Sequence, residues 1–370
     1  MKYSIKDIAT IINAKTDSSL VNYDIHELSI DSRDMNLSDK HLFIAIRTKK
    51  RDGHLFLKDA YKKGVRNFII SSSKYSDKNN SANYLFVSNT VKTLQEIAKH
   101  YRQKLSLPLL SISGSNGKTI VKEWLFELLK HCYANQKKIF RSPKSFNSQI
   151  GVPLSICLID KTDDFAIIES GISESGEMKR LEEVIQPNEG IFTNLNSAHD
   201  SGFNSREEKF LEKIQLFTQS NLLIISNELL IKYRKKINET LKSKKMRIVS
   251  WGEGKNANLQ IQEISSNKNI TFINAQFNGE KKTISIPFLD DASIENAITC
   301  WTYLLSKGFD NTKISNGMNN LTPINMRLEY KKGVFDSTII NDSYSNDYVS
   351  LNVALKFLDL SLIHISSPRD

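Results

Sequence analysis

The sequence is poor in cysteine and in long apolar runs, and each shortage excludes a class of protein. Its three cysteines, Cys132, Cys157 and Cys300, lie far apart, without the spacing of metal ligands. Each falls in an apolar, helical context, so we expect buried free thiols in a reducing cytoplasm. The N-terminus lacks the apolar core of a signal peptide, and no run approaches the length of a membrane span. We therefore expect a cytoplasmic protein without membrane insertion.

Aromatic residues are scarce where positive charge is densest. The formal net charge of +10 suits either nucleic acid or a small anionic substrate. Residues 232–247 hold eight Lys or Arg against Glu239, but Tyr233 is their only aromatic residue. Proteins that bind single strands place aromatic rings among the basic residues to stack on bases. A solvated helix face is favoured and no nucleic-acid partner is expected, although a basic nucleic-acid-binding NTPase stays a remote alternative.

One stretch has the layout of a phosphate-binding loop. Residues 109–113 are an apolar run typical of a buried strand, and apolar residues recur at helical spacing over 119–132. Between the two segments lie Gly114, Ser115, Asn116, Gly117, Lys118 and Thr119. In such a turn backbone N–H groups hold phosphate oxygens, Lys118 adds a charge, and Thr119 can hold Mg²⁺. Because Ile112 stands where the general pattern has a glycine, a turn that only caps a helix remains an alternative.

The pattern around this loop predicts an α/β fold. Strands and helices alternate from Pro108 to about residue 230, which indicates a parallel sheet with helices on both faces. The expected strands are 109–113, 138–141, 165–169, 190–194 and 222–226, with helices at 149–159 and 207–218 among those between them. Short alternating runs over 246–288 predict an antiparallel extension, and a helix is expected over 293–305. Residues 1–88 form a small α/β unit of their own.

A further unit begins near residue 321 and is short. It offers a strand at 337–341 and a helix from about Ser350, and the residues that remain cannot complete a domain. We therefore expect a chain truncated at its C-terminus. The predicted domains are 1–88, 89–320 and 321–370.

Two more residues follow strands of the predicted parallel sheet. Glu169 ends the strand 165–169, and His199 follows the strand 190–194 after a short loop. In open parallel sheets ligands bind beyond the carboxyl ends of the strands, where the phosphate loop also lies. A carboxylate there can ligate Mg²⁺. A lone histidine is usually a surface or core residue, so its position alone leaves two equal alternatives for His199, a functional residue at the sheet edge or an ordinary surface or core residue.

Residues 113–119 resemble the nucleotide loop of the Mur ligases, which explains the missing outer glycine. Other segments resemble landmarks of that family in the same order, namely 31–33, 42–45, 52–54, 147–153, 169–171, 194–199, 325–329 and 341–346. The similarity extends to about residue 358. It implies a UDP-substrate-binding N-terminal domain, a central ATP-binding ligase domain with a P-loop parallel sheet, and the truncated start of a Rossmann-like C-terminal domain.

The resemblance implies an activity and its substrates. Within the family the residues are most like those of the enzymes that add D-alanyl-D-alanine to UDP-N-acetylmuramoyl-tripeptide through an acyl phosphate, with ATP and Mg²⁺. Some sequence segments are similar to those of a form of the ligase whose chain continues into an alanine racemase. A Mur ligase adding another amino acid, or a folylpolyglutamate synthase, remains an alternative, although the segment 31–33 argues against the folate enzyme. A monomer is expected.

The resemblance also implies residue roles. It gives catalytic roles to Lys118, Glu169, His199 and Lys213, and metal contacts to Thr119, Glu169, His199 and a carbamylated Lys213. It gives nucleotide contacts to residues 114–119, Asn296, Arg327 and Asp342, and UDP-substrate contacts to Ser32, Arg33 and Asn147. Two features depart from the family: Ser293 stands where an asparagine is common, and Arg47-Thr48 replaces a turn that contains glycine.

Overall fold

The computed structural model of the chain describes residues 1–16, 20–49, 51–77, 81–196, 202–241, 246–267, 269–325, 329–334 and 337–343, with 351, 354, 355 and 358. These residues form one sheet of nine strands, one of four strands and two of two strands. Among them, no helix is both long and apolar enough to cross a bilayer. The three cysteines are buried and free, as predicted.

The first unit is built on four parallel strands. Its elements are β1 (Tyr3–Ser4), α1 (Ile5–Ile11), β2 (Asp24–Ile25), β3 (Glu27–Ser29), β4 (His41–Ile44), α2 (Leu57–Lys62), β5 (Asn67–Ile70) and β6 (Asn83–Phe86). Strands β3, β4, β5 and β6 pair in that order and all run parallel, while β1 and β2 form a separate antiparallel pair. The strands β1 to β3 were not predicted, because two or three residues are too few to show an alternation of apolar and polar side chains.

The large sheet begins with the strand before the phosphate loop. Its elements are α3 (Thr90–Gln103), β7 (Leu109–Ser113), α4 (Lys118–Cys132), β8 (Ile139–Arg141), α5 (Gly151–Leu158), β9 (Phe165–Glu169), α6 (Glu177–Ile185), β10 (Glu189–Phe192), α7 (Arg206–Ile214), β11 (Leu222–Ser226), α8 (Asn227–Lys232), α9 (Arg234–Thr240), β12 (Arg247–Gly252), β13 (Leu259–Asn267), β14 (Ile270–Phe277), β15 (Glu280–Ile286), α10 (Asp291–Ser306) and α11 (Asn311–Met318). The strand order is β15-β14-β13-β12-β11-β10-β7-β9-β8. The five strands predicted between 109 and 226 are all present, two of them (β8 and β10) with slightly shifted bounds.

Helices cover both faces of the large sheet, as an α/β fold requires. Strand β7 is buried along its whole length, and its side chains alternate between two cores. Leu109 belongs to a core that also takes in α3, α5, α6, α7 and much of the first unit. Leu110 and Ile112 belong to the core beneath α4, α10 and α11. The phosphate loop therefore leaves a central strand that is fixed from both sides.

The antiparallel extension predicted for residues 246–288 is only partly right. Strand β12 runs parallel to β11, and β13 starts parallel to β12. The antiparallel pairs of this region are β13 with β14 and β14 with β15. The error has a physical cause, because alternation of apolar and polar residues shows that one face of a strand is exposed but not the direction of its neighbour. The predicted helix 207–218 also ends early, since α7 stops at Ile214 and a 3₁₀ turn follows over Gln215–Phe217.

Two short strands lie beyond the large sheet. Strands β16 (Glu329–Lys332) and β17 (Thr338–Asn341) pair antiparallel. The second of them matches the strand predicted at 337–341. Leu351, Ala354, Leu355 and Leu358 are helical, in agreement with the helix expected from about Ser350.

Candidate active site

The loop between β7 and α4 needs glycine at two positions. Gly114 and Gly117 have φ angles of +141° and +79°, a region that side chains with a Cβ rarely adopt. A Cβ on Gly114 would lie 2.1 Å from Oγ1 of Thr193, and one on Gly117 would lie 2.3 Å from Oδ1 of Asn296. The loop thus packs directly against the segment after β10 and against α10. Its shape follows from its sequence and from these two contacts.

Residues after β10 hold the loop by hydrogen bonds. The backbone N–H groups of Ser115 and Asn116 donate to the backbone and side-chain oxygens of Asn194, both at 2.9 Å. The Ser115 hydroxyl donates to the carbonyl of Asn196 at 3.1 Å. Thr193 returns a bond to the carbonyl of Asn116 at 2.7 Å. Residues 193–196, which include the start of the segment 194–199 that resembles a family landmark, act here as the frame of the phosphate loop.

Lys118 folds its side chain back across the same loop. Its ammonium donates to the carbonyls of Gly114 at 3.1 Å and Ser115 at 2.6 Å. The positive charge therefore stands at the amino end of α4, where the partial positive charge of the helix also favours an anion.

Glu169 is a buried carboxylate with both oxygens engaged. It is 1% exposed at the end of β9. Thr119 donates its hydroxyl to Oε2 at 2.8 Å, and the amide of Asn147 donates to Oε1 at 2.6 Å. The resemblance assigns Asn147 to the UDP-substrate, whereas its amide lies on Glu169. The three side chains form one polar cluster beside the phosphate loop.

The donor set around Glu169 fits a hard divalent cation. A hydroxyl and a carboxylate meet at the mouth of a phosphate loop, and oxygen ligands of this kind suit Mg²⁺, which usually keeps water and phosphate oxygens in its shell. Within the described ranges, no group of three or more His, Cys, Asp or Glu could hold a metal alone. The protein atoms present would therefore supply part of a coordination shell, with phosphate and water completing it. His199 lies outside the described residues.

Two lysines one turn apart on α7 are buried. Lys209 is fully buried and donates to the carbonyl of Asn196 at 2.5 Å. Lys213 is 1% exposed. Burial lowers the pKa of Lys213 well below its usual value, and the ammonium groups of Lys118 and Lys209 lower it further, against the opposing carboxylates of Glu177 and Glu212. Lys213 therefore lies within electrostatic reach of the phosphate loop.

Sequence reasoning reached Lys213 only through the resemblance and missed Lys209. Both lysines stand next to buried apolar residues of α7, Phe210 and Ile214. Their spacing of four residues puts them on the same side of the helix. Two lysines on one side of a helix, each adjacent to an apolar residue, were the available signal.

The remaining nucleotide residues are only partly described. Asn296 lies on α10, is buried, and has its amide against Gly117. Ser293, the departure from the family, stands in the first turn of the same helix and donates its N–H to Asp290 at 2.8 Å. Asp342 follows β17 and is half-buried. Arg327 lies outside the described residues.

A cavity of about 980 Å³ lies between the first unit and α5. Ser32 and Arg33 line it, as the resemblance implies for a substrate site. Arg33 donates three bonds from its guanidinium to the carboxylate of Asp31, the shortest at 2.6 Å, and this pairing lowers the pKa of Asp31 to about 2. The Arg33 side chain is 89% exposed. The polar end of the cavity is thus open and charged.

One wall of the cavity is apolar and comes from both units. Leu55 and Phe56 follow β4 in the first unit, while Phe146 and Leu158 border α5. All four are exposed to solvent, which is unusual for residues of this size. Phe146 directly precedes Asn147, the residue bonded to Glu169. One short segment therefore borders both the cavity and the phosphate site.

The sequence of the chain is similar to those of known proteins. Residues 112–304, more than half of the chain, match the Mur ligase middle domain, and residues 24–102 match the Mur ligase family catalytic domain. The chain is 27% identical over 368 residues to the UDP-N-acetylmuramoyl-tripeptide–D-alanyl-D-alanine ligase of Bacillus subtilis (strain 168), covering 97% of this chain and 76% of that protein. It thus spans about three quarters of that relative's length.

Solved structures share the fold at lower identity. The MurF structure from Acinetobacter baumannii superposes with a TM-score of 0.82 at 19% identity, covering 96% of this chain and 76% of that one. The MurF ligase of Thermotoga maritima in complex with ADP gives 0.74 at 20% identity, covering 90% and 74%. The phosphate loop, the buried carboxylate beside it and the match over more than half of the sequence lead to one conclusion. The chain belongs to the Mur ligase family.

Proposed function

We propose that this protein is an ATP-dependent, ADP-forming ligase that joins D-alanyl-D-alanine to UDP-N-acetylmuramoyl-tripeptide in the cytoplasmic synthesis of peptidoglycan precursors. The observation that carries the proposal is the segment 142–147, which borders the phosphate site on one side and a cavity of about 980 Å³ on the other. A ligase of this kind has to bring a nucleotide and a second, large substrate together. The names of the relatives supply the identity of that substrate.

The nucleotide would bind at the loop 114–119. Lys118 would face the β- and γ-phosphates, and Asn296, packed on Gly117, would lie toward the nucleoside. Arg327 and Asp342 belong to the same proposal through the family resemblance. We place the domain boundaries at 1–88, 89–320 and 321–370, so that the nucleotide site falls in the central domain.

Thr119 and Glu169 would hold Mg²⁺ on the phosphates, and His199 with a carbamylated Lys213 would complete the metal contacts. Bound there, Mg²⁺ neutralises phosphate charge as it develops during transfer. Asn147 supports this role because its amide fixes the orientation of the Glu169 carboxylate. The burial of Lys213 supports carbamylation, since only a neutral amine reacts with CO₂ and burial favours the neutral form.

The chemistry proceeds in two transfers. The terminal carboxylate of the tripeptide attacks the γ-phosphorus of ATP, which breaks the bond to the β-phosphate and gives an acyl phosphate and ADP. The amine of D-alanyl-D-alanine then attacks the acyl carbon, expels inorganic phosphate and releases a proton, which leaves an amide. Lys118 stabilises the phosphoryl group by charge, and the fixed loop supplies positioning, which is the larger part of catalysis in phosphoryl transfer.

The UDP end of the substrate would occupy the cavity. Arg33 is exposed at its polar end and can turn from Asp31 to an anionic group. Ser32 is buried and its carbonyl is held by Lys63 at 2.7 Å, so its position is fixed. The apolar wall would take the less polar parts of the substrate. We propose that the protein acts as a monomer.

A ligase assay on the purified gene product tests the proposal. ADP release should require both UDP-N-acetylmuramoyl-tripeptide and D-alanyl-D-alanine, and mass spectrometry should show the joined peptide with one phosphate released per ADP. Single amino acids in place of the dipeptide, and a folate with glutamate, serve as controls. Turnover with a control substrate but not with the dipeptide would contradict the proposal, as would hydrolysis stimulated by nucleic acid.

A further inference from the structure

Lys122 is a fully buried lysine to which neither the sequence nor the family resemblance gives a role. It lies on α4, one turn beyond Lys118 and Thr119, and its side chain is 0% exposed. Lysine is almost never fully buried unless its charge is paired, because removing an ammonium from water is costly. Its partners therefore show what its burial serves.

Four oxygen atoms surround the Lys122 ammonium. It donates to the carbonyls of Ser142, at 2.9 Å, and of Lys144. It pairs with the carboxylate of Glu123 at 3.1 Å and stands 3.7 Å from Oε2 of Glu169. The bonds to the two carbonyls use two of its three hydrogens, and the contacts with Glu123 and Glu169 are ones of charge. Lys122 is thus bound to a loop and faces the carboxylate of the phosphate site.

The loop that Lys122 holds, residues 142–147, contacts both Thr119 and Glu169. The hydroxyl of Ser142 accepts a bond from the N–H of Glu169 at 3.2 Å, and the hydroxyl of Ser145 lies 3.3 Å from that of Thr119. Asn147 binds the Glu169 carboxylate at 2.6 Å. Phe146 lines the cavity. The loop therefore joins the nucleotide side and the cavity side of the molecule.

The backbone of the loop needs support of this kind. Lys144 has a φ of +46°, in the left-handed region that a residue with a side chain adopts only when its surroundings enforce it. The Lys122 ammonium binds the carbonyl of this same residue. Without the ammonium, that carbonyl would lose a buried donor and Glu169 would lose its nearest cation.

We propose that Lys122 is a positioning residue of the ligase reaction, which fixes the loop 142–147 and through it the orientation of Asn147 and Glu169. The proposal rests on the proposed function. Lys122 reaches neither substrate, so it acts only through the residues that it holds. Because the loop also carries Phe146, loss of Lys122 should weaken binding at the cavity as well as at the phosphate site. The larger loss of affinity should be for nucleotide in the presence of Mg²⁺.

The test compares Lys122→Met with Lys307→Met. Lys307 also pairs with a buried carboxylate, that of Glu189 at 2.5 Å, but Glu189 begins β10, at the opposite end of the sheet from the phosphate loop. Both variants should lower the melting temperature, since each leaves a buried carboxylate without its cation. The two carboxylates lie at opposite ends of the sheet, and Lys307 is 31% exposed whereas Lys122 is fully buried.

Calorimetric titration of β,γ-methylene-ATP, with and without Mg²⁺, and of the UDP-tripeptide gives the decisive readout. We expect Lys122→Met to weaken Mg²⁺-dependent nucleotide binding by about 10- to 100-fold, as for other residues that orient a metal ligand. Binding without Mg²⁺ should change less, and UDP-tripeptide binding should weaken by a smaller factor. Lys307→Met should leave all three affinities unchanged.

A double variant tests the route of the effect. If Lys122 acts through Asn147, then Lys122→Met with Asn147→Ala should lose no more Mg²⁺-dependent affinity than the more affected single variant. Losses that add in full would overturn that route. If Lys122→Met does not fold, Lys122→Arg takes its place, because a planar guanidinium cannot occupy the position of a compact ammonium and should weaken the same binding by a smaller factor.

Two failures can be told apart. A wild-type protein that binds neither the ATP analogue nor the UDP-tripeptide overturns the proposed function. A wild-type protein that binds both, together with Lys122 variants whose affinities match those of Lys307→Met, overturns the positioning role and leaves the proposed function intact.

Discussion

The phosphate site and the cavity hold their charged groups in opposite ways. At the phosphate site Glu169 is buried, and both of its carboxylate oxygens accept bonds from neighbouring side chains, at 2.6 and 2.8 Å. At the cavity the pair of Arg33 and Asp31 stands in solvent, with the arginine 89% exposed. A buried polar network is costly to leave incomplete, whereas an exposed ion pair contributes little to stability.

This difference in burial indicates how the phosphate site and the cavity each bind a ligand. The phosphate site is assembled before the nucleotide arrives, because its loop is fixed by Asn194 and its carboxylate by Asn147. The cavity has a movable arginine and an apolar wall that is open to water. We therefore expect substitutions at the first site to remove function and those at the second to change affinity for one substrate.

The largest effect is expected for Lys118→Ala, which tests whether the phosphate site depends on a single charge. Its ammonium donates to two carbonyls of its own loop, so we expect the melting temperature to change little. The rate of ADP release should fall by about 10²- to 10³-fold, the loss seen when one preorganised donor to a transition state is removed. Lys92→Ala, whose side chain is 74% exposed on α3, is the control. Unchanged turnover would remove the phosphate-loop assignment.

The next effect is expected for Lys213→Ala, which tests whether the buried lysine acts as a carbamate. Turnover should fall by about 10- to 100-fold if the residue supplies a metal contact. Added acetate or formate should restore part of the activity, since a small carboxylate can occupy the space of the carbamate. The same additives should not restore Lys118→Ala, which provides the matched comparison. Full activity without additives, or no difference between the two variants in rescue, would contradict the assignment.

The sequence predicts the phosphate site better than it predicts the cavity. The phosphate loop and the strands β7, β9 and β11 could be read because their signals are contiguous, with glycines, an apolar run and a lysine at fixed spacing. The cavity could not be read in this way. Its apolar wall combines Leu55 with Phe146, ninety-one positions apart, and only the packing of two units brings them together.

The buried lysines show the same limit within the phosphate site itself. In the sequence Lys122 and Lys209 are ordinary helix residues, since lysine is a good helix former that usually points to solvent. Their roles depend on carbonyl groups of distant loops, Ser142 and Asn196. The direction of β12 relative to β11 was also predicted wrongly, because the exposure pattern of a strand is the same whether its neighbour is parallel or antiparallel.

A moderate effect is expected for Arg33→Ala, which tests whether the cavity serves one substrate only. The apparent KM for the UDP-tripeptide should rise by about tenfold, the size of one charge-assisted hydrogen bond, with little change in the KM for ATP. Lys40→Ala, an exposed substitution in the same unit that does not line the cavity, is the control. An equal rise for both substrates would show that Arg33 is structural and that the two sites are not separate.

The smallest effect is expected for Asp31→Asn, which tests whether the exposed pair contributes to stability at all. Arg33 lowers the pKa of Asp31 from 3.8 to about 2, so the folded state favours the ionised carboxylate. The stabilisation is therefore complete above about pH 4 and is lost as the pH falls toward 2, where the carboxylate takes up a proton even in the folded state. Melting temperatures of the wild type and of Asp31→Asn should differ slightly at pH 6 and converge near pH 2. A difference that stays constant with pH would mean that the ion pair is not its source. A difference as large as that of Lys122→Met would mean that the cavity, like the phosphate site, is held rigid by its charges.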